Sequence, residues 1–279
     1  MMNNKQLIMA FITSAAVLFS ATSMAQDNEM FTEEMVIPLS DPSRTGTLEV
    51  HQIYGGIKVT GYDGNEVVVL AKQEKMQTVS QMKNGLRKIQ NNSMALMVEE
   101  SNNHVEINAQ NHNGGSKNSM NLEVKVPRNF NLKLWSINDG STWVDNINGE
   151  IEISNINNDI TLNQVSGSAV VDSVNGEIKA SFKQITVGSQ LAFTSFNGNV
   201  DISLPNDVQA DFKLKTTSGE ILTGFDIDFK TSQPVIQKDS TQKSYKVKLE
   251  KWVTGSANGG GTEITLKSHS GDLILRAQD

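Results

Sequence analysis

The groups able to do chemistry in this 279-residue chain are its carboxylates, four histidines and a few large aromatic rings. Glu150, Asp159 and Glu177 recur in a nine-residue pattern, which raises the question of calcium. A calcium-roll repeat, G-G-x-G-x-D-x-U-x, needs an Asp two residues after its glycine. That place holds Ile151, Ala169 and Ile178 here. The carboxylates fall one place earlier, where they are expected to face water, and Ser168 interrupts their column. His51, His104, His112 and His269 lack the close spacing of zinc ligands, and there is no cysteine. No G-x-S-x-G nucleophile elbow occurs. Asn258-Gly259-Gly260-Gly261 lacks the lysine of a phosphate loop and reads as a turn. Carboxylate-pair chemistry on a polysaccharide stays open as an alternative, although no acidic cluster breaks the repeat. Trp135, Trp143, Trp252 and Tyr54 could stack on sugar rings or pack at the ends of coils. The expectation is no catalytic residue, no metal ligand, no cofactor-binding residue and no cofactor.

The elements around these residues are set by a repeat. Asn146 to Ser181 divides into NINGEIEIS, NINNDITLN, QVSGSAVVD and SVNGEIKAS. The second place is apolar in each unit: Ile147, Ile156, Val165 and Val174. The sixth and eighth places are apolar too, as in Ile151 and Ile153, and alternate with polar residues at the period of a strand. The third and fourth places are turn residues such as Asn148-Gly149 and Asn175-Gly176, read as supplying a positive φ. One short strand cannot bury its apolar side alone, so stacking of successive units is expected. Two units would make one coil of roughly 18 to 20 residues. Ser195 to Leu204, Thr217 to Leu222 and Ser268 to Leu275 continue the pattern, and Ser136 to Asp145 is a variant of it. The extra length near Phe182 to Phe193 predicts a loop or a widened coil. An antiparallel meander with Asn-Gly hairpins would use the same local signals. A membrane barrel needs longer strands and aromatic girdles, which are missing.

Before the repeat, strands are predicted over 47–50, 57–60, 66–71, 94–99, 105–109 and 121–126, and Pro127 marks the edge of the repeat region. Met76, Val79, Met82, Leu86 and Ile89 are spaced like one face of a helix, so a helix is predicted near 74–90 despite Gly85. It would cap an open sheet edge, or present its lysines and arginine to a membrane surface or acidic polymer. The polar stretches 111–119 and 229–243 read as surface insertions.

The chain as a whole limits its address and partners. Lys5, the apolar run Leu7 to Phe19 and the small residues Ser23 and Ala25 read as a secretory signal peptide, with a mature start at Gln26. No later run is long enough for a membrane-spanning helix. The absence of cysteine excludes a lipoprotein anchor and a disulfide scaffold. The formal charge of −7 argues against a nucleic-acid partner.

Four segments together resemble domain-of-unknown-function family 4097, bacterial exported proteins described as candidate adhesins. They are Gly46 to Gln73, Leu122 to Leu134, the NGEI repeats, and Asn258 to Leu275. The resemblance implies an exported, β-helix-like domain with no catalytic residues to carry over. The expected fold is an all-β, single-stranded β-solenoid of strand-turn repeats with one short helix. The expected organisation is a signal peptide at 1–25, a β-rich part at 26–130 with the capping helix, and a repeat solenoid at 131–279 continuous with it. The expected function is non-catalytic. An exported, periplasmic or cell-surface protein would present its repeat to an envelope protein or glycan. The alternatives are a periplasmic envelope-sensing or regulatory module and a polysaccharide-active β-helix enzyme.

The assignment of faces is testable by thermal unfolding. Ile151→Asp would bury an unpaired charge and should cost on the order of 3–5 kcal/mol, enough to unfold the domain. Glu152→Lys, on the alternate face, should melt with the wild type.

Overall fold

The computed structural model describes residues 30–74, 82–83, 86–87, 96–109, 119–227, 230–231, 236–238, 245–247 and 252–278. These residues form strands and turns, and no helix occurs among them. The signal peptide expected at 1–25 and His112 lie outside the described residues.

Two largely parallel sheets face each other, and each coil gives one strand to each. Phe130–Asn138 lies in the first sheet and Thr142–Asp145 in the second. Asn148–Asn155 follows in the first, and Ile160–Asn175 begins in the second and bends back into the first. Leu132, Ile151 and Ala169 hold the same place in successive coils, 19 and 18 residues apart by their numbers. The next step, Ala169 to Leu191, spans 22, so the extra length before Phe193 is a widened coil. Every pairing along this stack is parallel, which removes the hairpin meander. Expected strands 47–50, 57–60, 66–71, 105–109 and 121–126 are all present, in slightly longer form.

Spatial order departs from chain order at both ends. The coil of Gly46–Tyr54 and Ile57–Tyr62 lies between two later ones. It pairs with Phe130–Asn138 and Thr142–Asp145 on one side, and with His104–Ala109 and Met120–Pro127 on the other. The final coil, Thr262–Ser270 and Leu273–Gln278, is likewise inserted. It separates Leu191–Asn197 and Val200–Pro205 from Ala210–Ser218 and Ile221–Thr223. Eight coils stack in this way among the described residues. Antiparallel strands close the ends: Met97–Ser101 and Glu66–Glu74 at one, Val253–Ala257 at the other. Met30–Pro38 is the outermost strand and pairs with Glu66–Glu74.

The core is a set of in-register columns. Leu48, Leu132, Ile151, Ala169, Leu191, Ile264 and Phe212 form one, all buried. Each large aliphatic side chain so buried contributes about 1.5–3 kcal/mol. The third inward place of the first sheet, beside the corner, is polar instead: Gln52, Ser136, Asn155, Ser173, Ser195 and Ser268. Here the hydroxyl of Ser195 donates to the Gly176 carbonyl at 3.0 Å and that of Ser268 to the Gly198 carbonyl at 3.0 Å. Buried carbonyls at the corner would otherwise lack donors.

Two expectations are corrected. The glycine of the NGEI units does not serve a positive φ, since neither Gly149 nor Gly176 has one. Close approach is the reason for it: a Cβ on Gly176 would run into the Asn158 carbonyl oxygen of the neighbouring coil, and one on Gly198 into that of Gly176. The helix near 74–90 is also not found. Glu74 ends a strand, and Met82–Lys83 pairs antiparallel with Leu86–Arg87. Asn-Gly stands between those pairs in sequence, a dipeptide that is poor in helices and favoured in hairpins. The rest of that segment lies outside the described residues.

Gly176→Ala should therefore destabilise the domain by about 2–4 kcal/mol in denaturant titration, because backbone must move to admit the methyl group. Gly224→Ala, whose Cβ would meet its nearest neighbour at 3.4 Å, should stay within about 0.5 kcal/mol of wild type.

Candidate binding surface

The outward residues at the two corners of a coil differ in a way the nine-residue repeat conceals. Ile147 and Val165 are 1% and 0% exposed, whereas Ile156 and Val174, at the same place in alternate units, are 39% and 43% exposed. The units alternate between two corners, and only one of these turns its second place inward. At the other corner the exposed apolar residues continue from coil to coil. Ile137 flanks Ile156, and Val174 lies level with Phe196, which is 53% exposed. Ile53, half-buried, extends the line beyond Ile137. At the far end the Phe196 ring stacks on His269, with ring centres 4.6 Å apart. The result is a ridge from Ile53 to Phe196, about 20 Å long at the usual strand spacing.

A ladder of side-chain amides runs beside the ridge. Asn157 donates to Asn138 at 2.8 Å, Asn175 to Asn157 at 3.1 Å, and Asn197 to Asn175 at 2.9 Å. These bonds fix the corner, so the apolar side chains are held at one spacing. Single exposed apolar residues are ordinary on a protein surface, but a contiguous line of them marks an interaction site more often.

The candidates named from sequence fall elsewhere and do not gather. Asp159 is exposed and its carboxylate accepts from the Glu177 amide at 2.8 Å, so it caps backbone. Glu150 stands at the opposite end of its coil, beside a shallow open groove of about 570 Å³ that also holds Lys133 and Glu152. Both carboxylates of this groove are exposed, and nothing there excludes water from a reaction. His51 and His104, far apart in sequence, meet across two strands. Their Nε2 atoms lie 2.8 and 3.1 Å from different oxygens of Glu49. The carboxylate can only accept, so the imidazoles turn N–H groups toward it. Among the described residues no group of three His, Asp or Glu is arranged to hold a metal ion. Trp135 stacks flat on His51 at 4.7 Å between ring centres. Trp143 is exposed on the second sheet, level with Lys58. Trp252 lies at the last coil beneath Lys213 and Lys215, and Tyr54 sits at a corner level with Asn138. Sequence reasoning missed the ridge because it gave the second place of every nine-residue unit the same role, although it expected two units to a coil. Following that two-unit coil through would have separated Ile156 and Val174 from Ile147 and Val165.

Residues 137–276 match the family described as Toastrack DUF4097. The chain belongs to this Toastrack family. The match runs from the ridge residue Ile137 into the final inserted coil. A candidate cell adhesion protein from Clostridium sporogenes has a similar fold, at 8% identity and a TM-score of 0.50, covering 90% of this chain and 100% of its own. A candidate adhesin from Bacteroides fragilis aligns at 7% identity and a TM-score of 0.34, covering 88% of this chain and 97% of its own. No curated protein sequence matches. Among the described residues no helix is long and apolar enough to cross a membrane.

The two corners should respond differently to the same substitution. Ile147→Ser should cost about 3 kcal/mol or more in thermal or denaturant unfolding, from lost burial and a new buried hydroxyl. Ile156→Ser should stay within about 1 kcal/mol of wild type.

Proposed function

We propose that this Toastrack protein is a non-catalytic, exported interaction protein of the cell envelope, and that it presents the Ile53–Phe196 ridge to a protein or glycan partner. The carrying observation is the ridge itself. The core does not need Ile137, Ile156, Val174 and Phe196 to be apolar, because they point outward. Each exposes oily surface that water disfavours, so covering them would drive association. Eight coils in register make the ridge rigid, which lowers the entropic cost of holding a partner. The adhesion description of the Clostridium sporogenes protein agrees with this reading. Export rests on the apolar segment at 7–19 and the small residues at 23 and 25, with the mature chain starting at Gln26 in the periplasm or on the surface.

A co-sedimentation assay with isolated cell-envelope fragments tests the proposal. The mature wild-type protein should pellet with the fragments. The variant Ile156→Ser/Val174→Ser/Phe196→Ser should fold and bind at least ten-fold more weakly. Equal binding by the two proteins would remove the ridge from the account.

A further inference from the structure

Trp135 stands on the outward face of the first sheet with a different neighbour on each side. On one side it is directly opposite His51, and the two rings stack with centres 4.7 Å apart and planes 4° apart. That distance is the spacing of neighbouring strands, so both rings stand upright on the sheet with their flat faces turned along the stack. On the other side Trp135 is opposite Ser154, whose side chain is too small to cover an indole. Ser154 is in turn opposite Asp172, which is exposed. A slot therefore lies above Ser154, between the second face of Trp135 and the Asp172 carboxylate. Its two ends are the next outward residues along the Ser154 strand, Glu152 and the ridge residue Ile156, both exposed. Lys133 stands opposite Glu152, and these two also line the open groove of about 570 Å³. A flat ring seated above Ser154 would meet the second face of Trp135 as His51 meets the first.

We propose that this slot binds one pyranose unit of a neutral, equatorially linked glycan, with the apolar face of the sugar against Trp135. This rests on the ridge as an interaction surface and names the partner's chemistry. The C–H face of the ring lies on the indole and its edge meets Ile156. Its hydroxyls donate to the carboxylates of Asp172 and Glu152 and accept from Ser154 and Lys133. The chain enters from the groove beside Glu152 and leaves over the ridge at Ile156. An acidic glycan fits less well, because the two carboxylates would repel it. A cation would be drawn to those carboxylates and to the indole face. It would, however, meet the positive charge of Lys133 beside Glu152 and make no use of Ile156.

The test is calorimetric titration of the mature protein with cellohexaose, chitohexaose and tetramethylammonium. Wild type should bind at least one of the two hexaoses, with an affinity that added salt leaves unchanged, and should not bind the cation. Trp135→Ala and Asp172→Ala should each weaken hexaose binding about ten-fold, through the lost stacking and the lost charge-assisted hydrogen bond. Trp143→Ala, which removes an exposed ring of the second sheet, should bind as the wild type does. Should Trp135→Ala fail to fold, the exposed change Asp172→Ala still decides. Binding of neither hexaose would overturn the proposal. So would equal hexaose affinity in wild type and the folded variants, or binding of tetramethylammonium in place of the hexaoses. Absence of hexaose binding together with loss of envelope binding in the Ile156/Val174/Phe196 variant would leave the ridge reading intact and remove only the slot.

Discussion

Each strand inside the stack of coils finds its backbone hydrogen-bond partners in the coils above and below it, and none within its own coil. That constraint governs the rest. Unpaired backbone groups cannot be buried without loss, so coils must stay in register over the whole length. Register brings Leu48, Leu132, Ile151, Ala169, Leu191, Ile264 and Phe212 into one column. It also brings corners so close that Gly176 and Gly198 have no room for a side chain. Where a corner carbonyl would be stranded, a serine of the next coil supplies a hydroxyl, as Ser195 does for Gly176. At Ser195 and Ser268 the polar column inside the apolar core is thus part of the ladder's own hydrogen bonding.

The same register acts on the outside. Whatever residue type recurs at an outward place becomes a line along the stack. Apolar residues at one corner make the ridge, and asparagines next to them make an amide ladder. A surface of this kind is read as parallel tracks and not as a pocket, which suits a partner that is itself extended. It also explains why the residues of greatest chemical reactivity do not meet. His51 and His104 reach different oxygens of Glu49 from adjacent strands, and that carboxylate stands between them.

Much of the architecture could be read from the sequence, and the reasons for the failures are physical. Alternation of Ile151, Glu152 and Ile153 gave the correct faces, because a half-buried strand leaves that trace in any fold. The widened coil before Phe193 was visible as extra length. Stacking order was hidden: nothing local to Gly46–Tyr54 says that its neighbours are Phe130–Asn138 and His104–Ala109. The glycine at each NGEI corner was read as a matter of backbone conformation, because crowding by another coil has no signature in the residues on either side. The ridge was hidden by its likeness to the core. Ile156 and Ile147 are the same residue at the same place, and only the parity of their units separates them.

The interleaving at the two ends bears on how such a protein can be lengthened or cut. An ordinary stack can gain or lose a terminal repeat and leave the others in place. Here residues 262–278 are not at the end of the stack but one coil inside it. Removing them would open a gap between Leu191–Asn197 and Ala210–Ser218, and the outer coil would lose the strands that join it to the stack. The first coil is locked in the same manner under His104–Ala109. Change in coil number is therefore confined to the middle, and each end acts as a closure that fastens only when its inserted coil is in place. During synthesis the coil of Ala210–Ser218 would stand apart from the stack until residues 262–278 had emerged to slide beneath it.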